Sequence, residues 1–146
     1  MSEPIITYRG VVYPWHCDQM GHMNVMWYAG KFDEATWNLF AQMGLTPAYL
    51  RASARGMAAV QQNTSYRREL QAGDTVAIGS VLLEMRDRVA RFVHEMRDGD
   101  SGEIAAISAL TAVHIDTQTR KPCAFAAEVR ARALPLAGSY ALPGER

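Results

Sequence analysis

The densest group of reactive side chains in the sequence lies between residues 16 and 28. Its members are His16, Cys17, Asp18, His22, Asn24 and Tyr28. A carboxylate such as that of Asp18 can act as a general base on water or attack a carbonyl carbon directly. A helical pattern follows, and the unpaired N–H groups at a helix start can polarise a carbonyl oxygen. These residue types, in a loop that leads into a helix, are therefore suited to catalysis.

Other interpretations of this loop are open. Asp18 can be a turn or helix-capping residue, which is the ordinary use of a loop aspartate. His16, Asp18 and His22 suit zinc or iron by ligand type, but their spacing matches no metal motif. Cys17 can be a thiol nucleophile paired with His22, although adjacent side chains in an extended segment point to opposite sides. We therefore expect no metal site and a buried, inert Cys17 thiol.

The residues after the loop have helical periodicity. From Trp27, apolar side chains recur at intervals of three and four, and polar ones face another side. The apolar positions are Tyr28, Phe32, Ala35, Leu39 and Met43, and the polar ones are Lys31, Glu34, Asn38 and Gln42. This predicts an amphipathic helix of about four to five turns, with Gly44 at C′. Thr46 predicts the N-cap of a short helix over residues 47–55 that stops at Gly56.

Most of the remaining sequence predicts a sheet. A strand at Ile5–Tyr13 ends at Pro14, and a last helix is predicted at residues 125–134. Four more strand-length runs, at residues 57–70, 75–86, 89–97 and 103–116, are separated by turn sequences. The tail at 139–146 is expected to fray.

These elements predict one two-layer α+β domain over residues 1–146, in which an antiparallel sheet curls around one long helix. A single helix layer covers only one face of the sheet. The other face is therefore expected to be buried by oligomerisation.

Composition and charge narrow the classes of function. Fifteen basic and fifteen acidic residues cancel, which argues against a nucleic acid or an anionic membrane as partner. Apolar runs fall far short of the ~20 residues that span a bilayer, and no secretory signal is visible, so a cytoplasmic location is expected. Cys17 and Cys123 lack the spacing of a metal site or a disulfide scaffold and are expected to be reduced.

The run CDQMGHMNVMWY, with the form Asp-x-x-Gly-His-x-Asn-x-x-x-Tyr, resembles a motif of the acyl-CoA thioesterases of the 4-hydroxybenzoyl-CoA thioesterase and YbgC-like group. Plant acyl-ACP thioesterases share its Asp, His and Asn spacing. The likeness continues through FDEATW, SYRRELQAGD and HID, and covers residues 5–132. The same run also looks like the thioesterases of carnitine breakdown, whose substrate is betainyl-CoA.

This resemblance implies a hotdog fold, hydrolysis of acyl-CoA without a metal or organic cofactor, and active sites across the interface of a homodimer or dimer-of-dimers homotetramer. It makes Asp18 the catalytic carboxylate, as general base or nucleophile. The Val25 backbone N–H would polarise the thioester carbonyl. His22 and Asn24 would orient the carboxylate, the water or the substrate. Many relatives carry an acidic residue where this chain has His16, which implies a different charge environment for Asp18.

Aromatic and basic residues outside the catalytic positions are candidates for substrate binding. Aromatic faces can line an acyl pocket or hold a quaternary ammonium, and the phosphates of CoA require a local basic patch. The aromatic candidates are Trp15, Trp27, Tyr28 and Tyr66, and the basic ones are Arg67, Arg86, Arg88 and Arg91. These arginines can equally keep a strand edge soluble.

Trp37, His94 and His114 are expected to be structural residues, with Trp37 packed in the core or at an interface. Two alternative functions stay open, because a fold does not determine a reaction. One is an acyl-CoA hydratase or dehydratase of the same fold, and the other is a noncatalytic acyl-CoA-binding module.

Overall fold

A computed structural model describes residues 3–142, and within them five strands and three α-helices follow the predicted order. The elements are β1 (Ile5–Val11), α1 (Val25–Gln42), α2 (Pro47–Ser53), β2 (Arg55–Tyr66), β3 (Thr75–Met85), β4 (Val89–Asp98), β5 (Ile104–Asp116) and α3 (Ala127–Ala133), with 3₁₀ turns at Pro14–His16 and Leu134–Leu136. The predicted α+β class is confirmed. Among the helices of residues 3–142, none combines the length and apolar character that a membrane crossing requires.

The five strands form one antiparallel sheet in the order β1-β3-β4-β5-β2. The two edges are therefore β1 and β2. The second edge is long, because β2 pairs with β5 from Arg55 opposite Asp116 to Tyr66 opposite Ala106. Among the described residues, the outer side of β2 has no partner strand. Such an edge presents backbone donors and acceptors that another strand can pair with.

The first strand and the long helix differ slightly from prediction. The strand β1 ends at Val11 rather than Tyr13, because a 3₁₀ turn follows. The helix α1 begins at Val25 rather than Trp27, because the side chain of Asn24 accepts a backbone N–H and caps the helix earlier.

The predicted capping residues between α1 and α2 are confirmed. Gly44 adopts a φ of 88°, as a C′ residue should, and Thr46 accepts a backbone N–H at 3.1 Å in front of Pro47. The predicted stop is wrong, since α2 ends at Ser53 with Ala54 as its C-cap in the left-handed region, and Gly56 lies inside β2.

The strand β2 ends at Tyr66, not at Leu70 as predicted. The backbone N–H groups of Arg67 and Arg68 both donate to the carbonyl of Ala105, at 2.8 and 3.1 Å, which ends the regular ladder. The last helix, α3, is shorter than predicted at both ends.

The buried face of α1 carries the predicted apolar residues and one charged residue. Phe32, Ala35 and Leu39 have no exposed surface. Lys31, predicted on the polar side, is also buried, with 3% of its surface exposed. Its position three residues after Tyr28 and four before Ala35 places it on the apolar stripe.

A polar network links α1 to the sheet beneath it. The ring of His94 on β4 is fully buried, with Nδ1 at 2.6 Å from Ser80 Oγ and Nε2 at 2.8 Å from Thr36 Oγ1 on α1. Thr7 on β1 extends the network, with Oγ1 at 2.8 Å from Ser80 Oγ. Burial lowers the pKa of His94 to about 3, so the ring is neutral. The predicted structural role of His94 is confirmed.

The predicted structural role of His114, the other buried histidine, is confirmed only in part. His114 Nδ1 lies at 2.9 Å from the Cys123 carbonyl, whereas its buried Nε2 has no hydrogen-bond partner among the described residues. Both cysteines of the chain, Cys17 and Cys123, are free thiols as predicted.

The outer face of the sheet is covered in part by the C-terminal segment. Tyr140 and Leu142 pack against Val81, Val93 and Ile107, which lie on β3, β4 and β5. The Tyr140 hydroxyl also donates to the buried carboxylate of Glu95. The expectation of a frayed tail is therefore wrong for residues 139–142, and residues 143–146 lie outside the described part. The chain itself covers some of the surface that was expected to need a partner.

Replacing His94 by Gln tests the buried network. Because burial lowers the pKa of His94 from 6.5 to about 3, the unfolded chain takes up a proton below pH 6.5 that the folded chain does not, and stability falls as the pH drops. Between pH 6.5 and 5 this amounts to about 2 kcal/mol. Between pH 7 and pH 5, the free energy of unfolding measured with urea should fall by about 2 kcal/mol more in the wild type than in His94→Gln. Equal losses in the two proteins would contradict the assignment.

Candidate active site

The loop before α1 is a tight hairpin that starts from a 3₁₀ turn. The backbone N–H of Asp18 donates to the His22 carbonyl at 3.2 Å, and that of Gly21 donates to the Asp18 carbonyl at 3.0 Å. Gly21 has a φ of 90°, which a residue with a side chain adopts only with strain. A bridge between Cys17 and Met23 closes the base of the hairpin. The hairpin brings Asp18 back towards the start of α1.

The carboxylate of Asp18 is held at both oxygens. Asn24 Nδ2 donates to Oδ2 at 2.7 Å, and the Met20 backbone N–H donates to Oδ1 at 2.9 Å. The hydrogen bond from Asn24 is the main cause that lowers the pKa of Asp18, followed by the bond from Met20. The side chain is half-buried and ionised at neutral pH. Each oxygen accepts one of these bonds and keeps capacity for another donor, such as water.

The same asparagine starts the helix. Asn24 Oδ1 accepts the Met26 N–H at 2.9 Å, so this side chain caps α1 while its amide group holds Asp18. Among the described residues, the Val25 N–H has no hydrogen-bond acceptor. An unpaired N–H at a helix start carries partial positive charge and can bind a developing oxyanion. A carboxylate and a free donor thus lie on the two sides of one capping residue.

The other polar residue of the motif, His22, has a different partner from Asn24. Its Nε2 lies at 3.4 Å from Glu69 Oε1, whose side chain is 71% exposed. His22 acts on Asp18 only electrostatically, as one of the smaller contributions that lower the pKa of the Asp18 carboxyl. The pairing of His22 with Glu69 was missed by the sequence reasoning. Glu69 stands in the run SYRRELQAGD, and that run was the available signal.

The predicted aromatic residues fall into two groups. Trp15 is 67% exposed and stacks on Tyr13 at 4.6 Å, and the ring of Trp27 lies 4.3 Å from that of His16. Tyr28, in contrast, is buried, and its hydroxyl donates to the Arg68 carbonyl at 3.0 Å. Within this chain it is therefore a packing residue.

Two further aromatic residues lie at the surface. Tyr66, which contacts the ring of Tyr28 edge-on at 5.2 Å, is half exposed. Trp37, expected in the core or at an interface, is 42% exposed and contacts the ring of Phe40 edge-on.

The predicted arginines belong to two separate patches. Arg86 and Arg91 share one carboxylate, with Arg86 Nε at 2.7 Å and Arg91 Nη1 at 3.6 Å from the oxygens of Glu84. Arg88 is exposed at the same β3–β4 hairpin, and Arg67 is exposed after β2. The structure leaves Arg88 and Arg67 available for an anionic ligand, whereas the other two are partly neutralised.

His16 and Cys17 stand beside Asp18 in sequence and have local roles. His16 is buried, and its Nδ1 accepts the Tyr13 backbone N–H at 3.0 Å. Burial, and secondly the charge of Lys31, lowers the pKa of His16 and keeps the ring neutral. Cys17 is half-buried rather than buried, with Sγ at 3.8 Å from the Tyr13 carbonyl. In the described part of the chain, no three His, Cys, Asp or Glu residues are grouped as metal ligands.

The sequence matches a family of known activity. The sequence model of the thioesterase-like superfamily matches residues 12–133. A betainyl-CoA thioesterase of Pseudomonas aeruginosa is 28% identical over 144 residues, which span 98% of this chain and 91% of that protein. An L-carnitine dehydrogenase/betainyl-CoA thioesterase of Ruegeria pomeroyi is 26% identical over 97% of this chain, but the match covers only 28% of that longer protein.

Solved structures share the fold. A hypothetical protein of Staphylococcus aureus, SAV2348, solved in complex with CoA, matches 99% of this chain and 94% of its own with a TM-score of 0.88 at 16% identity. A putative thioesterase of Pseudomonas putida matches 99% of this chain and 96% of its own with a TM-score of 0.82 at 22% identity. At these identities the likeness concerns the fold alone, and it confirms the predicted hotdog fold.

Replacing Asn24 separates its two roles. Asn24→Ala removes both the cap and the amide donor, whereas Asn24→Ser keeps a capping oxygen but lacks the amide group. We expect the Asp18 pKa to rise in both variants, and the free energy of unfolding to fall by about 1 kcal/mol in the alanine variant only. NMR titration of the Asp18 carboxyl carbon and urea denaturation measure the two quantities. An unchanged Asp18 pKa in both variants would contradict the role of the amide.

Proposed function

The chain belongs to the thioesterase-like superfamily, and from that premise we propose that it hydrolyses acyl-CoA thioesters to a free acid and CoA at the start of α1. The observation that carries the proposal is the ionised Asp18 carboxylate, held by Asn24 next to the unpaired N–H of Val25. The relatives named as thioesterases support the reaction type.

In the proposed reaction the thioester carbonyl oxygen accepts the Val25 N–H, which stabilises the negative charge that develops there. Asp18 either removes a proton from the water that attacks the carbonyl carbon, or attacks this carbon itself to form a mixed anhydride that water then hydrolyses. In both routes the C–S bond breaks, CoA leaves as the thiol after it takes up a proton, and the acyl group leaves as the free acid. Both routes need an ionised carboxylate, and the lowered pKa of Asp18 supplies it. A general base contributes typically ~10²–10⁴-fold to the rate, and one oxyanion donor ~10²–10³-fold.

We further propose that two copies of the chain form a homodimer that completes the site. The open edge of β2 bears exposed apolar residues, Val60 (61%) and Tyr66 (51%), and the start of α1 bears Val25 and Met26, which are 56% and 62% exposed. Exposed apolar residues next to an unpaired strand edge favour association through that edge. A dimer of dimers would need a further contact surface.

Betainyl-CoA is the acyl thioester that we propose as first candidate substrate. Two relatives that match nearly the whole chain bear that name. The exposed ring of Trp15 and the half-buried ring of Trp27 offer faces that attract a quaternary ammonium. A panel of betainyl, short aliphatic and aromatic acyl-CoA esters tests this choice.

Asp18→Asn is expected to fold normally and to lose ~10²–10⁴-fold of kcat/KM, because the amide can neither accept a proton from water nor attack as an anion. Release of free CoA from the acyl-CoA panel, followed with a thiol-reactive dye, measures the loss. Asp100→Asn, in the exposed β4–β5 turn, is the matched control. Near-wild-type turnover by Asp18→Asn would reject the role. Binding of acyl-CoA without CoA release by the wild type would instead indicate a hydratase or a binding module.

Val60→Glu is expected to weaken the dimer and the hydrolysis together, because it places a charge on the exposed edge of β2. Light scattering coupled to size exclusion measures the mass against 16.2 kDa for one chain. Leu134→Glu changes an equally apolar residue, 75% exposed, far along the chain from this edge, and serves as control. A monomeric wild type, or a dimer that only Leu134→Glu disrupts, would contradict the proposed interface.

A further inference from the structure

The sheet has an apolar patch on its outer face, the side away from α1. On β4, His94 contacts Thr36 of α1, so its neighbour Val93 points to the other side of the sheet. There Val93 packs with Val81 of β3 and Ile107 of β5, and each of the three is at most 4% exposed. Because α1 lies on the opposite side, another part of the molecule must bury this outer-face patch.

The patch is buried by a C-terminal strap, which consists of residues 137–142. The strap joins the edge of the patch through its backbone, since the Gly138 N–H donates to the Leu82 carbonyl at 2.8 Å. Further along, the side chains of Tyr140 and Leu142 pack on the outer-face patch. The strap therefore occupies the place that a further protein layer would otherwise take on this face.

A polar contact anchors the strap to the sheet. The Tyr140 hydroxyl donates to the buried carboxylate of Glu95, and Arg97 Nε donates to the other oxygen of this carboxylate. Burial, and secondly the hydrogen bond to Glu95, raise the pKa of Tyr140, whereas the charges of Arg97 and Arg67 oppose this rise. A buried acceptor that loses its donor is costly. The contact of Tyr140 with Glu95 therefore holds the strap on the sheet.

The surface beneath the strap is complementary to itself. Its centre is the outer-face patch, and the carboxylate of Glu95 lies beside two cations, Arg97 and Arg67. In a two-fold contact the same surface meets itself, so Glu95 of one copy can pair with an arginine of the other. Apolar surface rimmed by polar residues is typical of interaction sites. A second copy of this chain therefore fits the uncovered face.

We propose that the strap is a displaceable cover that prevents two copies of the chain from packing through the outer faces of their sheets. While Tyr140 is anchored, this face is closed to association. When the strap is displaced, the uncovered faces of two copies pack together and the mass of the particle doubles. Doubling is expected whether the wild type is a monomer or a dimer through β2, and whether or not Asp18 hydrolyses a thioester.

Tyr140→Glu in the full chain tests the cover, because it places a second carboxylate against Glu95 and like charges repel. Hydrogen exchange at the Gly138 amide measures displacement of the strap, and light scattering coupled to size exclusion measures the mass. We expect exchange at least about tenfold faster than in the wild type, and a doubled mass. Unchanged exchange would overturn the anchoring role of Tyr140. Faster exchange with an unchanged mass, or with open-ended aggregation, would overturn the proposed contact.

A second substitution locates the contact on the outer-face patch. Val93→Lys, added to Tyr140→Glu, places a charge at the centre of the uncovered patch, where a second copy would have to bury it. We expect the mass to return to the wild-type value, while the Gly138 amide still exchanges rapidly. Circular dichroism verifies that the double variant is folded. A doubled mass that persists in the folded double variant would overturn the proposed location.

Leu134→Glu is the matched control, because it adds the same charge to an exposed apolar residue just before the strap. We expect its mass and its Gly138 exchange to equal those of the wild type. The release of CoA per chain should also be unchanged in Tyr140→Glu, since the uncovered face lies on the side of the sheet away from α1. A doubled mass in Leu134→Glu would show that charge alone causes association, and would overturn the proposal.

Discussion

The side chain of Asn24 is the contact on which the proposed site depends. Its carbonyl oxygen caps α1, and its amide group holds the carboxylate of Asp18. A single planar amide thus links the anion to the start of α1, where the free N–H of Val25 lies. Because the cap belongs to α1, the position of the carboxylate follows the position of the helix. The site is therefore only as well defined as the packing of α1 on the sheet.

That packing includes a polar contact in addition to the apolar core. Thr36 on α1 reaches His94, which is linked through Ser80 to Thr7. Hydrogen bonds have narrow ranges of distance and angle, whereas apolar contacts tolerate small slips. The buried network thus selects one register of α1 over the strands β1, β3 and β4. The network requires His94 to stay neutral, because burial disfavours its charged form. The packing of α1 in this register is therefore destabilised at acid pH.

The surfaces left exposed differ in their chemistry. Tyr140 and Leu142 cover part of the outer face of the sheet, whereas the edge of β2 and the start of α1 stay apolar and open. A groove lined by Trp15, Trp27 and Lys31, among others, is open as well. These places require different partners, since an edge strand pairs with backbone and an aromatic groove with a small ligand.

The sequence alone determined the order of elements and the α+β class, because helical periodicity, Gly44 and Thr46 are local signals. It also supplied the segment that we propose as catalytic, because the run from Asp18 to Tyr28 is contiguous. Only the tertiary structure decided which partners these residues have. Glu69 reaches His22 across many residues, and Tyr140 folds back onto Glu95. The sequence predicts Lys31 on the polar side of α1, because its side chain is charged, although its spacing fits the apolar stripe. Its burial depends on hydrogen bonds to Tyr8 and Val11 of a strand that is distant in sequence. Such contacts join residues far apart in sequence, and no local pattern encodes their distance.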